Sequence, residues 1–183
     1  MKLPIAIATI LASTLVLNCH GMTAYRFLDV AGKVTRNHAS CVTVAATGLT
    51  WELKTDDGGI HDKDNRYRWG GIGAEQTGKG FYDDWNSLLA TTNNEKLCGF
   101  DDWRVPTIDE LKTLVISTGI TPMIDTAVFP LTLAEPYWSV STYQQYPEHA
   151  QTVDFGTGLS HYYNGFRGNS LPVRLVRTGK AVP

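Results

Sequence analysis

Apolar positions follow three different rhythms along the chain. Residues 3–17 are almost continuously apolar behind a single positive charge at Lys2. Short alternating stretches come next. Residues 25–40 read as an irregular lead-in with some strand character at Phe27, Leu28 and Val30, whereas residues 41–44 and 49–53 predict strands. In the second of these, Leu49, Trp51 and Leu53 share one face. Helical spacing then appears twice. The acidic opening Asp83-Asp84 precedes Trp85, Leu88 and Leu89 on one side of a helix that Asn93 and Asn94 end. Ile108, Leu111, Leu114 and Val115 define a second short helix with its exit near Gly119. Pro122, Pro130 and Pro136 break the chain into loop beyond it, and Phe129 is expected against the core. From Tyr137 the rhythm is that of strands: residues 137–141, 150–155 and 171–176, with Gly156, Gly158, Gly165 and Gly168 at the turns. The last strand sets Val173 and Leu175 against Arg174 and Arg177.

The second helix has a local reason to start where it does. Thr107 followed by Glu110 is a capping box, and Pro106 and Leu111 flank it as a hydrophobic staple would. Ahead of it, Phe100 and Trp103 offer apolar area, while Asp101, Asp102 and Arg104 can tie the loop through charge-assisted bonds. No nucleophile or poised base accompanies them. This is the pattern of a structural staple.

The apolar start is too short for a stable membrane span, which needs about 20 residues, and reads as an export signal over residues 1–21. Cys19 sits where a bacterial lipoprotein places its acylated cysteine, and cleavage after Gly21 is the competing expectation. Residues 22–40 then form the lead-in and 41–179 the domain. Cys41 and Cys98 remain, an even count for an oxidising compartment. A bridge between them would contribute about 4 kcal/mol by the chain-entropy model. A thiolate pair for metal or redox work needs close spacing such as C-x-x-C, which Cys41 and Cys98 lack.

The apolar fraction of 43% and five tryptophans indicate one globular domain. A net charge of −2 gives no basic footprint for nucleic acid. The loop carrying Asp56, Asp57, Asp62 and Asp64 offers enough oxygens to suggest calcium, yet lacks the EF-hand order, and a self-capped solvated turn is the preferred reading. Residues 73–80 mimic a phosphate-binding loop until Gly80 replaces the required Ser or Thr, and no buried strand precedes them. A nucleotide site is therefore rejected.

Residues 98–111, Cys-Gly-Phe-Asp-Asp-Trp-Arg-Val-Pro-Thr-Ile-Asp-Glu-Leu, resemble the signature of the DUF1566 family, the C-terminal domain of the Legionella collagen-like adhesin. Three more blocks fit in order: residues 47–52, 137–141 and 172–177. The resemblance implies an α+β, C-type-lectin-like fold related in shape to the formylglycine-generating enzymes: two short helices around a small twisted antiparallel sheet with long loops. In such a fold the last strand pairs with the Trp51 strand. Residues 124–130 resemble a further family segment. The family's members are mostly exported, which suits a cell-surface or envelope location. The reactive cysteine pair of the formylglycine-generating enzymes has no counterpart, because Cys41 and Cys98 lie too early.

Residues 141–170 hold Tyr143, Gln144, Gln145, Tyr146, His149, His161, Tyr162, Tyr163, Asn164, Phe166, Arg167 and Asn169. Rigid aromatics mixed with adaptable amides compose many paratopes, and loops on a rigid scaffold are where binding concentrates. Tyr143, Gln145, Tyr146, His161, Tyr162, Tyr163, Asn164 and Arg167 are the candidate contacts for a glycan or protein ligand. G-x-S-x-G and H-E-x-x-H are both missing from the sequence, and the histidines have no metal spacing. The expectation is an exported, adhesin-like binding module without catalysis or an obligatory cofactor. A hydrolytic or redox enzyme on the same scaffold and a structural envelope subunit are the alternatives. A Gly-X-Y stalk of the collagen-like kind is absent from these residues, which weakens adhesion to sulfated glycans as an expectation.

Overall fold

The computed structural model describes residues 16–17, 24–35, 37–71, 84–117 and 119–179. The signal segment with Cys19, the phosphate-loop mimic and Asp83 lie outside those residues, apart from the strand at 16–17. The architecture is α+β, with few helices and two antiparallel sheets. The first sheet runs in the order β1 (Val16–Leu17), β2 (Ala24–Leu28), β3 (Cys41–Val44), β4 (Leu49–Glu52) and β8 (Val176–Thr178). The second is β5 (Pro136–Thr142), β6 (Ala150–Asp154) and β7 (Leu159–His161). Between them lie α1 (Asn86–Glu95) and α2 (Ile108–Lys112). Among the described residues no helix is long and apolar enough to cross a membrane.

Several local expectations hold. Thr107 caps α2 through the Glu110 amide, and the Glu110 carboxylate returns to the Thr107 amide, a complete capping box. Trp51 pairs with Val176 across β4 and β8, so the last strand does close on the Trp51 strand. Cys41 and Cys98 form a disulfide, buried at 0% and 1% exposure.

Other expectations need correcting. The lead-in supplies a full strand, β2, that pairs with β3 from Tyr25 to Leu28. Helix α2 ends at Lys112, well short of Gly119, because Val115 leaves the helix to bridge Ile124. The strand expected over 171–176 begins only at Val176. Its approach is extended but divided: Leu171 bridges Tyr67, the Pro172 carbonyl accepts from Trp138, and that of Leu175 accepts from Glu52. The segment stitches the two sheets together, so Arg174 and Arg177 are buried along with Val173 and Leu175. Strand β4 is buried on both faces for a similar reason, since it is central and covered on each side.

Two apolar clusters fill the interior. One joins Val42, Trp51, Leu111, Phe129, Tyr137 and Val176. The other gathers the disulfide with Trp69, Trp85, Trp103 and Trp138. In the second, Trp69 meets Trp85 edge-on at 5.4 Å and Trp85 meets Trp138 at 6.3 Å. The Trp103 indole N–H donates to the Leu97 carbonyl, and two indoles bridge the second sheet and the loop before α1: Trp69 donates to Ser139 and Trp138 to Tyr67. These bonds fix the second sheet against the long loops.

Candidate functional site

Two turns at one end of the second sheet build the candidate site. The first joins β5 to β6. Its backbone closes through Tyr143 N–H to the His149 carbonyl, Tyr146 N–H to Tyr143 and His149 N–H to Tyr146, which holds Tyr143 and Tyr146 on one short arc. The second turn follows β7 and is laid antiparallel against the first. Ala150 N–H donates to Gly165 at 2.8 Å and Arg167 N–H to Glu148 at 2.9 Å, while His149 bridges Phe166. Gly165 permits this approach, because a Cβ there would lie 1.8 Å from the Ala150 carbonyl oxygen.

The two turns bring four tyrosines into one stack. Tyr143 and Tyr162 lie nearly parallel with ring centres 4.1 Å apart, Tyr162 and Tyr163 are 4.4 Å apart, and Tyr146 joins at 5.4 Å from Tyr162. His149 abuts Tyr162 edge-on at 5.9 Å and Phe166 at 5.7 Å. The stack stands outward: Tyr163 is 73% exposed, Phe166 47% and Tyr146 46%. A hydrogen bond with Tyr163, reinforced by burial and by the neighbouring phenols, pushes the Tyr162 hydroxyl up to about 12.

Beside the stack is an open groove of about 380 Å³ lined by Thr142, Tyr143, Gln144, Gln145 and Gln151. The Tyr143 hydroxyl donates to Gln145 Oε1 at 3.0 Å, and the Gln151 amide donates to the Thr142 carbonyl at 3.2 Å.

The remaining candidates are placed differently. His161 tilts against Tyr163 at 5.8 Å, at the edge of the stack. The Asn164 carbonyl accepts from the Asn169 amide, closing its own turn. Arg167 is 7% exposed, with its guanidinium 4.0 Å over the Trp69 ring, so it is turned into the interior and away from a ligand.

The acidic loop is tied by its own groups. Asp56, Asp62 and Asp64 place carboxylate oxygens within 4.8 Å of one another, and Asp57 is not part of that trio. Lys63 Nζ lies 2.6 Å from Asp56 and 2.9 Å from Asp64, while Asp62 accepts from the amides of Asp57, Gly58 and Asp64. Asp57 accepts from Thr55 and the Gly59 amide.

One ionisable cluster went unread in the sequence. Glu52 Oε1 accepts from Lys54 at 2.9 Å and lies 2.7 Å from His61 Nδ1, and its Oε2 accepts from the Leu175 amide. The Glu52 and Lys54 side chains are only 0% and 2% exposed, which seals the pair away from any substrate. The signature residues are equally structural. Arg104 grips Glu110 with two bonds at 2.6 and 2.7 Å, and Arg177 takes Asp102 from above the Phe100 ring, 3.7 Å from its centre. Comparison with known proteins finds the family model of the Lcl C-terminal domain matching residues 40–177. Nothing among the curated proteins or the solved structures matches the chain.

Proposed function

This chain belongs to the Lcl C-terminal domain family, and from that premise we propose that it is an exported, adhesin-like surface module that captures a ligand on its tyrosine stack. The carrying observation is the stack itself. Four tyrosines from two turns are gathered at the surface, Tyr146 and Tyr163 exposed and Tyr143 and Tyr162 half-buried between them, in a protein whose five tryptophans are buried. Stacked tyrosines lose little conformational freedom on binding and offer both apolar area and hydroxyls.

The reading includes a C-type-lectin-like fold. The return of β8 to β4 and the long loops around a small second sheet support it. It also includes export through the signal at residues 1–21, with Cys19 as the lipid anchor or with free secretion. Catalysis is not part of the reading, because Glu52 and Lys54 are buried, the partly exposed His61 is turned onto Glu52, and the signature residues are committed to one another.

The test is a glycan array together with a panel of matrix proteins, probed with the wild-type chain and with a Tyr143→Ala, Tyr162→Ala, Tyr163→Ala variant. Binding by the wild type that the folded variant loses supports the reading. Equal behaviour of the two overturns it and leaves a structural envelope subunit.

A further inference from the structure

We infer that the ligand taken at this surface is an uncharged glycan seated in the groove beside Tyr143, an inference that rests on the surface-binding reading above. Charge carries the first half of the argument. The groove-lining side chains are one hydroxyl, one phenol and three carboxamides, with no formal charge. Within residues 141–170 the only Lys or Arg is Arg167, and its guanidinium is buried against the Trp69 ring. The exposed charge nearby is acidic, since Glu148 on the same turn is 51% exposed. A sulfate or carboxylate entering here would find no cation among the lining side chains to replace its hydration, and Glu148 on the same turn is a like charge.

The donor and acceptor pattern carries the second half. Each carboxamide offers two donors and an acceptor, and each sugar hydroxyl is both, so a vicinal diol and a carboxamide match in pairs. The groove fixes two of them in opposite senses. Tyr143 occupies Gln145 Oε1, which leaves the Gln145 amide nitrogen as a donor; Gln151 donates to Thr142, which leaves its carbonyl oxygen as an acceptor. Beside them, the Tyr143 ring is held rigid against Tyr162 at 4.1 Å and supplies an apolar wall for the C–H face of a pyranose. A proline-rich peptide fits less well. It brings carbonyls but few N–H groups, so the Gln151 acceptor goes unmatched, and rings at 4.1 and 4.4 Å leave no slot between them for a proline.

The test titrates the purified full chain with maltohexaose, mannohexaose and N-acetylchitohexaose, with a heparin hexasaccharide and with decaproline, followed by calorimetry and by the tyrosine ring resonances. The expected result is binding of at least one neutral sugar, insensitive to added salt. Gln145→Ala and Gln151→Ala should each weaken it about ten-fold while leaving the melting temperature unchanged, as for one lost hydrogen bond. Preference for heparin with salt-sensitive affinity, preference for decaproline, or silence toward all three neutral sugars overturns the inference. The surface reading fails separately. If the tyrosine variant still loses binding on the array and matrix panel while the neutral sugars are silent, only the ligand class is wrong; if that variant binds as the wild type does, both fall.

Discussion

Arg174 donates through Nη1 to the main-chain carbonyl of Glu52 at 2.7 Å, while the Glu52 carboxylate accepts from the amide of Leu175 at 2.8 Å. Residues 122 apart in sequence thus clasp backbone to side chain in both directions. Arg174 also donates to Thr132 at 2.9 Å, so a single guanidinium ties β4, the closing segment and the loop before β5.

Glu52→Gln keeps the shape of this centre and removes its charge. Lys54 would then be a buried ammonium without a counterion. Breaking one partner of a buried pair costs about 3–5 kcal/mol. Urea denaturation should show a loss of that size, and a loss below about 1 kcal/mol would mean that water reaches the cluster.

The same residue sets an acid limit. Burial alone would raise the Glu52 pKa, but Lys54, His61 and the Leu175 amide outweigh it and hold the carboxyl at about 2, against an ordinary 4.5. Its folded pKa lies below its unfolded one, so its contribution is complete above about pH 4.5 and is lost as pH falls toward about 2. The loss amounts to about 3 kcal/mol by linkage. Acid titration of unfolding should show it in the wild type and a flatter profile in Glu52→Gln.

Cysteine removal should act mainly on the unfolded chain. The bridge spans 57 positions, for which the chain-entropy model gives about 4 kcal/mol. A Cys41→Ala, Cys98→Ala protein should lose about that much stability in denaturant, and reduction of the wild type should match it.

Gly165→Ala tests how the stack is assembled. The added methyl would collide with the Ala150 carbonyl and push apart the turns bearing Tyr143 and Tyr162. Overpacking of this kind costs about 1–3 kcal/mol. The ring-current shifts of Tyr143 and Tyr162 should relax toward free values, whereas Tyr163→Ala, at an exposed ring, should cost under about 0.5 kcal/mol.

Calcium should leave the melting temperature unchanged. Lys63 already stands between Asp56 and Asp64, and three backbone amides occupy Asp62. An upward shift with millimolar calcium would mean that Lys63 is displaced and the trio opens as an oxygen cage.

Features written in neighbouring residues were legible in the sequence. The capping box at Thr107 and Glu110 and the strand at Cys41–Val44 follow from short-range grammar, the disulfide from the even cysteine count, and the structure contains all three. The pairing of the Trp51 strand with the last strand came from the family resemblance, and it also holds. Glu52 was not legible. In an alternating strand a Glu beside a Trp reads as outward-facing; here the closing segment, more than a hundred residues later, adds the Leu175 amide to its local partners Lys54 and His61. The tyrosine-rich stretch was visible as composition, but its stacking depends on Gly165 meeting Ala150, a contact between separate turns. The side-chain direction of Arg167 depends on Trp69 and has no local signal.

The register of the first sheet has one more consequence. Tyr25, Val44, Leu49 and Thr178 are successive partners in a single row, so β2 and β8 are separated by about three strand spacings, about 14 Å. A domain whose entrance and exit are neighbours can be spliced into a surface loop of a host protein, or have its ends joined and be reopened elsewhere, without unravelling its interior. The module is portable by construction, and a graft of this kind would display the tyrosine face on whatever carrier receives it.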